Sequence, residues 1–327
     1  MTIKDIAKEA GVSTAAVSRY FNGGSLGEEK RECIRKVVQK HGFSPNQAAS
    51  SMRTGKSNEI GVIVPKIHSD SLSQLIHGIA TGLAEKDYTM IVGCAEGDTD
   101  REVHYIKTME NNGMEGIILM GTVMTPYLMD TIKSCSVPVV VTGQSFAGVP
   151  CVYYDDKNAM RELAAMMLKK RKHIVYIGAI EEDVAVGKNR RLGAMKAFED
   201  AGRDPKELVF AVSGFEIEDG YEAMKKILAK HKKTDGVLCA TDSMALGAML
   251  ALRDAGKRIP EDVSVAGIGN SRSGMVTTPQ LTTVRLFFEQ CGETAVRLLS
   301  EMIAAEGKSI PISQIRLGYE VIERGSI

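Results

Sequence analysis

Apolar residues follow two different rhythms along this chain, and the change comes near Asn58. Before it they recur at helical spacing: Ile3, Ile6, Ala7 and Ala10, then Ala16, Val17 and Tyr20 or Phe21, then Cys33, Ile34, Val37 and Val38. Thr2 with Asp5 three residues on reads as a capping pair, and Gly11 supplies a tight turn. Ser13 caps a second helix running from Thr14 to about Asn22. Residues 28–41 form a third helix that closes a small three-helix core. Two short helices joined by a Gly-containing turn are the helix-turn-helix signature, although any small helical bundle can show such a pair.

Ser44-Pro45-Asn46 then breaks the chain, and Asn46 caps QAASSMR, a short segment rich in small residues. Seven residues alone do not hold a helix in water. Beyond Asn58, short apolar runs alternate with amphipathic stretches: EIGVIVP with 71–86, TMIVGC with 100–112, GIILMG with 126–134, then PVVVTG. The cycle restarts after CVYYDD with 158–170, HIVYIGA, 189–201, LVFAV, 220–231, GVLCAT, 243–255 and VSVAGI. This βαβ periodicity predicts parallel sheets covered by helices, in two similar lobes with a cleft between them. The expected fold class is therefore α plus α/β: a helix-turn-helix headpiece (1–45), a hinge helix and linker (46–57) and a doubly wound two-lobed core (58–327).

Charge changes this picture more than composition does. With 41 basic and 41 acidic residues among 327 the chain is neutral, which by itself argues against nucleic acid. Yet residues 1–57 hold ten Lys/Arg against five Asp/Glu, leaving 31 and 36 for the remainder. A basic module on an acidic body is the footprint of a small DNA reader. Six cysteines form no CxxC pair, so reduced and mostly buried thiols are expected, and no two histidines sit at metal-ligand spacing. The nearest string to a GxSxG elbow is GQSFAG, one residue too long, and no P-loop, GxGxxG or HExxH occurs. No catalytic group, metal or cofactor is expected. MTIKDIAKEAG carries acidic residues and no long apolar segment, so a cytoplasmic protein with no membrane partner is expected.

The segments IKDIAKEAGVSTAAVSRYFN and HGFSPNQAASSMRTGKS resemble the headpiece and hinge of the lac repressor family. GVLCATDSMALGAMLALRDAGKRIPEDVSVAGIGN and PQLTTVR resemble its C-terminal lobe, so the resemblance spans the chain. It implies a homodimer on palindromic operator DNA and a core of periplasmic-binding-protein type. The lobes would comprise about 58–155 with 285–312 and about 156–284 with 313–327, crossing near Asp155, Arg285 and Ser313. A recognition helix enters the major groove by its N-terminal residues, which are Thr14, Ala15, Ser18 and Arg19. Arg19 suits guanine, whereas Thr14 and Ala15 offer only a hydroxyl or a methyl. Thr2, Ser13 and Asn22 are expected on phosphates, with Lys4, Lys30, Arg31, Lys36 and Lys56 as further phosphate partners or plain surface charges. By the same resemblance Asn46, Ala49 and Met52 contact DNA from the hinge, Met52 standing where an apolar wedge, usually Leu, opens the central step.

Ligands of open parallel sheets bind beyond the carboxyl ends of strands, which singles out Lys66, Gln144, Thr241, Asp242 and Asn270. Asp242 could equally cap the helix that follows. The family's R-x-x-G segment places Arg190 on the effector, and Phe215 matches a position that is often aromatic. Segments near Ser71 and Lys188 resemble the trehalose-operon branch, whose effector is a sugar phosphate. GIGN replaces the family's GYDD, and Gly143 replaces a second Asp. Fewer carboxylates, with Lys66, Lys188, Arg190 and Arg191 nearby, favour an anionic sugar phosphate over a neutral oligosaccharide. The expected function is a transcriptional regulator, most simply a repressor of a carbohydrate operon, governed by a sugar or sugar-phosphate effector. The alternatives are a sugar receptor without a DNA role, an enzyme of doubly wound fold, and a corepressor-dependent catabolite regulator of the same family.

Overall fold

The computed structural model describes residues 1–21, 23–43, 57–305, 307–308 and 311–327. The chain separates into two compact units, Met1–Ser57 and Asn58–Ile327. In the first, Thr2 caps α1 (Ile3–Glu9): its hydroxyl accepts from the Asp5 backbone N–H, and the Asp5 carboxylate accepts from the Thr2 N–H at 2.8 Å. Ser13 Oγ accepts from Ala16 N–H at 3.2 Å and opens α2 (Thr14–Phe21). The third helix, α3 (Glu28–His41), ends at Gly42, whose φ of 57° lies in the left-handed region that glycine adopts without strain. Ile6, Ala7, Ala16, Val17, Ile34 and Val37 form the core, rimmed by Tyr20, Phe21, Val38 and Phe43. Glu9 of α1 bridges Lys40 and His41 of α3, at 2.8 and 2.9 Å. Cys33, expected on the inner face, is exposed. The buried stripe of α3 runs through Ile34 and Val37, and Cys33 falls to its outer side.

The second unit holds two six-stranded sheets. The first is built from β1 (Glu59–Val64), β2 (Thr89–Cys94), β3 (Gly116–Met120), β4 (Val139–Thr142), β5 (Cys151–Tyr154) and β11 (Gln314–Leu317). Its order is β11-β5-β4-β3-β1-β2, parallel throughout. The second comprises β6 (Ile174–Gly178), β7 (Val209–Val212), β8 (Gly236–Cys239), β9 (Ser264–Ile268), β10 (Thr282–Leu286) and β12 (Tyr319–Ile322). Its order is β12-β10-β9-β8-β6-β7, with only β12 antiparallel to its neighbour. Buried runs such as Ile60–Val64 and Ile174–Gly178 show why the strands read as continuous apolar stretches: both faces are covered. The helices are α4 (Asp70–Ala84), α5 (Thr99–Asn111), α6 (Pro126–Ser134), α7 (Asp156–Leu168), α8 (Arg190–Asp200), α9 (Ile217–Lys230), α10 (Asp242–Asp254), α11 (Arg272–Val276) and α12 (Phe288–Ala304).

The chain crosses between lobes at Asp155, Phe287 and Gly318, as strand membership shows. Two of these lie within two residues of the expected places. The third does not: residues 314–317, expected in the second lobe, form β11 of the first sheet. The cause is the parallel ladder of Gln314–Leu317 on Cys151–Tyr154, which carries the segment past Ser313 before it crosses.

Each lobe is tightened where two helices meet through glycines. A Cβ on Gly78 of α4 would stand 2.0 Å from the Glu289 carbonyl oxygen of α12, and one on Gly292 2.4 Å from that of Leu75. In the second lobe a Cβ on Gly247 of α10 would stand 2.0 Å from the Ile217 carbonyl oxygen of α9. Gly247→Ala therefore forces α9 and α10 apart. A loss of about 1–3 kcal/mol is expected from overpacking, read as a lowered unfolding midpoint of a 58–327 fragment in urea.

Candidate DNA-reading surface and effector cleft

The outer face of the headpiece helices presents the expected DNA-reading side chains. Thr2, Ser13, Thr14, Ala15 and Arg19 are exposed and Ser18 is partly so, because Ala16 and Val17 take the buried side of α2. Arg19 Nε donates to the Ala15 carbonyl at 3.3 Å, and its stem lies against Gly24. Lys4, Lys30 and Lys36 are exposed. Arg31 is partly buried and donates to the Gly24 carbonyl at 3.4 Å, tying the 23–27 turn to α3. Asn22, Asn46, Ala49, Met52 and Lys56 lie outside the described residues.

In the second unit the carboxyl ends of the strands face each other across the lobes, where polar ties join them. Lys66, just beyond β1, donates to Glu216 Oε1 at 2.8 Å and lies 5.4 Å from the Phe215 ring centroid. His68 Nε2 is 3.5 Å from the same carboxylate. Asp70 at the start of α4 accepts from the Arg272 backbone N–H at 2.9 Å. Gln144, beyond β4, donates Nε2–H to Asp183 Oδ1 at 3.1 Å and to the Thr122 carbonyl. Val123 and Asp183 form a backbone bridge at the same place. Ser71 stands beside Ser69, their hydroxyls 3.2 Å apart, at the start of α4.

The floor on the second lobe is internally paired. Arg190 is buried, with Nε and Nη2 each 2.7 Å from Asp156 Oδ1 and Nη1 2.5 Å from the Ala240 carbonyl. Burial pushes the Asp156 carboxyl up, against the pull of Arg190. Arg191 bridges Glu181 and stacks 4.1 Å from the Phe210 centroid. Lys188 is exposed and meets no carboxylate among the described residues.

Thr241, not Asp242, caps α10, its hydroxyl accepting from the Met244 N–H at 3.3 Å. Asp242 is instead a buried tie, accepting from Thr283 Oγ1 at 2.6 Å and the Ser271 N–H at 2.7 Å. Burial pushes its carboxyl up, while those two donors pull it down. A Cβ on Gly267 would stand 2.6 Å from Asp242 Oδ1, so this glycine leaves the carboxylate its room. Asn270, at φ 48°, accepts from Arg324 Nη2 at 2.6 Å.

Residues 2–46 match the model for bacterial regulatory proteins of the lacI family, and residues 164–327 that for the periplasmic binding protein-like domain. The HTH-type transcriptional repressor PurR of Erwinia tasmaniensis is 31% identical over 333 residues, covering 100% of this chain and 96% of its own. The chain belongs to the lacI family. It is a DNA-binding transcriptional regulator, and its homologues are regulators rather than enzymes. The sucrose operon repressor of Staphylococcus xylosus is 27% identical over 92% of this chain and 93% of its own. A solved lac repressor dimer bound to operator and the anti-inducer ONPF shares the fold: TM-score 0.88 at 20% identity, covering 100% of this chain and 98% of that one. No helix among the described residues is long and apolar enough to cross a membrane.

This lacI-family cleft thus gathers Lys66, Gln144 and Phe215 at cross-lobe contacts, while Arg190, Asp242 and Asn270 are held by protein partners. The reasoning from sequence missed the other half of each contact: Glu216, Asp183 and Asp156. Two of them carried a local signal, Asp183 as the cap of the π-helical turn Val184–Asn189 and Glu216 in a capping box with Asp219. Truncation of Asp156 to Ala leaves the Arg190 guanidinium buried and unpaired. Such a change should destabilise the core by ~3–5 kcal/mol, measured by urea unfolding of residues 58–327.

Proposed function

We propose that this regulator is a cytoplasmic repressor of a carbohydrate operon, binding a palindromic operator as a homodimer and responding to a neutral sugar between its lobes. The observation that carries the sugar reading is the cleft's own balance of charge. Lys66 is neutralised by Glu216, Arg190 by Asp156 and Arg191 by Glu181. The excess of cations that favoured a phosphate ester is therefore spent on protein carboxylates. What remains is suited to hydroxyl groups: the Ser71 hydroxyl, the Phe215 ring, the Thr241 hydroxyl and the Asn270 side-chain nitrogen. The sucrose operon repressor among the relatives supports the carbohydrate-operon reading. Exposed Lys188 favours a second reading, in which a sugar phosphate reaches it at the rim.

Binding changes how far the lobes close, which alters the spacing of two headpieces on one operator. Coupling of ~1–3 kcal/mol is the usual size of such an effect. Arg19 reads guanine, Thr14, Ala15 and Ser18 line the same groove, and Thr2, Ser13 and Asn22 hold phosphates. Asn46, Ala49 and Met52 serve in the hinge, with Met52 as an apolar wedge.

A fragment of residues 58–327 should lose operator binding in a gel shift while keeping its ligand. In calorimetry that fragment should give heat with sucrose or trehalose and none with their 6-phosphates. Heat with the phosphates alone would overturn the neutral-sugar reading. In the full chain, Arg19→Ala should weaken specific binding by about 1–3 kcal/mol and relax preference at one base pair. Unchanged selectivity across operator variants would remove Arg19 from base reading.

A further inference from the structure

The Asp183 carboxylate lies at the join between the lobes, 4% exposed, and it has no ion-pair partner among the described residues. Its Oδ1 accepts from Gln144 Nε2 of the first lobe at 3.1 Å and from the Val186 N–H of its own turn at 3.0 Å. The charged groups facing it are Arg190 at the start of α8 and Asp156 at the start of α7, and these two are paired with each other. From the first lobe Thr122, Val123 and Gln144 bring no charge. Gln144 itself is left half-satisfied. Its amide donates to both Thr122 and Asp183, whereas its Oε1 is buried with no partner. A buried carboxylate without a counter-ion and a buried acceptor without a donor therefore stand side by side. One proton answers both, because a carboxylic acid has an O–H to donate and an amide and an acid can pair in both directions.

We propose that closing the lobes carries a proton onto Asp183, so that acid favours the closed form. Opening withdraws Gln144 and Val123 and returns the carboxylate to water, where it ionises readily. This rests on the reading that the lobes open and close, and not on which ligand closes them.

The direction follows from burial. Desolvation raises the closed-state value from the ordinary 3.8 to about 6, against the lowering effect of the Val186 N–H and Arg190. A group whose value is higher in the closed form opposes closure only when it is ionised. The opposition is absent below the open-state value, grows as pH rises between the two and is complete above about 6.

The test uses the full chain without ligand. Hydrogen exchange of the Arg272 backbone amide and the Gln144 side-chain amide, both of which bond across the lobes, corrected for the intrinsic rate, should slow roughly tenfold from about pH 7.5 to about pH 5. Amides in β6 should show no such change. In Asp183→Asn the profile should be flat. The carboxyl-carbon resonance of Asp183 in the unaltered chain should titrate near about 6, which decides the matter even if the variant does not fold. A flat profile in the parent, the same slope in Asp183→Asn, or a carboxyl titrating near its ordinary ~4 would overturn the proposal. None of these outcomes bears on the sugar reading, since no sugar is present.

Discussion

The core depends on one constraint: the chain passes three times between two sheets, at Asp155, Phe287 and Gly318. A single passage would leave the lobes free to swivel. Three passages, laddered almost to the crossing point, limit them to bending. The Asp155 N–H reaches the Leu317 carbonyl at 3.2 Å, and Arg316 lies 3.5 Å from the Asp155 carboxylate. On the other side Arg285 and Glu320 face each other across β10 and β12 at 3.7 Å. Because the carboxyl ends of the strands meet across this join, any bending there would open or shut the region where open α/β sheets bind ligands.

That geometry also explains why the cleft is already populated by protein–protein contacts. A buried charge is tolerated only when paired. Arg190 therefore comes with Asp156, and the half-buried Lys66 with Glu216. Asp242 shows the same rule with neutral donors: Thr283 and the Ser271 N–H hold it, and Gly267 makes room for it. In this chain the strand-end carboxylate fixes β10 against the start of α11.

Most elements were legible from sequence because local signals agreed. Capping residues, the Gly11 turn and the Ser13 cap mark the headpiece helices, and apolar runs mark the doubly covered strands. β11 and β12 were not legible, since QIRL and YEVI are short and show no buried run. Helix α12 follows β10 directly and has no side-chain cap, although Phe288, Cys291, Gly292, Ala295, Val296 and Leu299 mark its buried face. Half of the site was legible in the same sense. Strand-end position pointed to Lys66, Gln144 and Asp242, but nothing local says that Lys66 meets a carboxylate 150 residues away. Charges counted along a chain cannot show which of them cancel in space, and this is why the cleft looked cationic until Glu216, Asp156 and Glu181 were placed.

The headpiece has a consequence of a different kind. Among the described residues its interior is six buried side chains, two of them alanine, held by one capping box and the Glu9 bridge to α3. The core buries whole sheets between helices. Small domains keep a thin margin between burial and chain entropy. Each contact is therefore a larger share of the margin in the headpiece than in the core, so one lost methyl group at Val17 or Ile34 weighs more on DNA reading than the same loss inside a sheet.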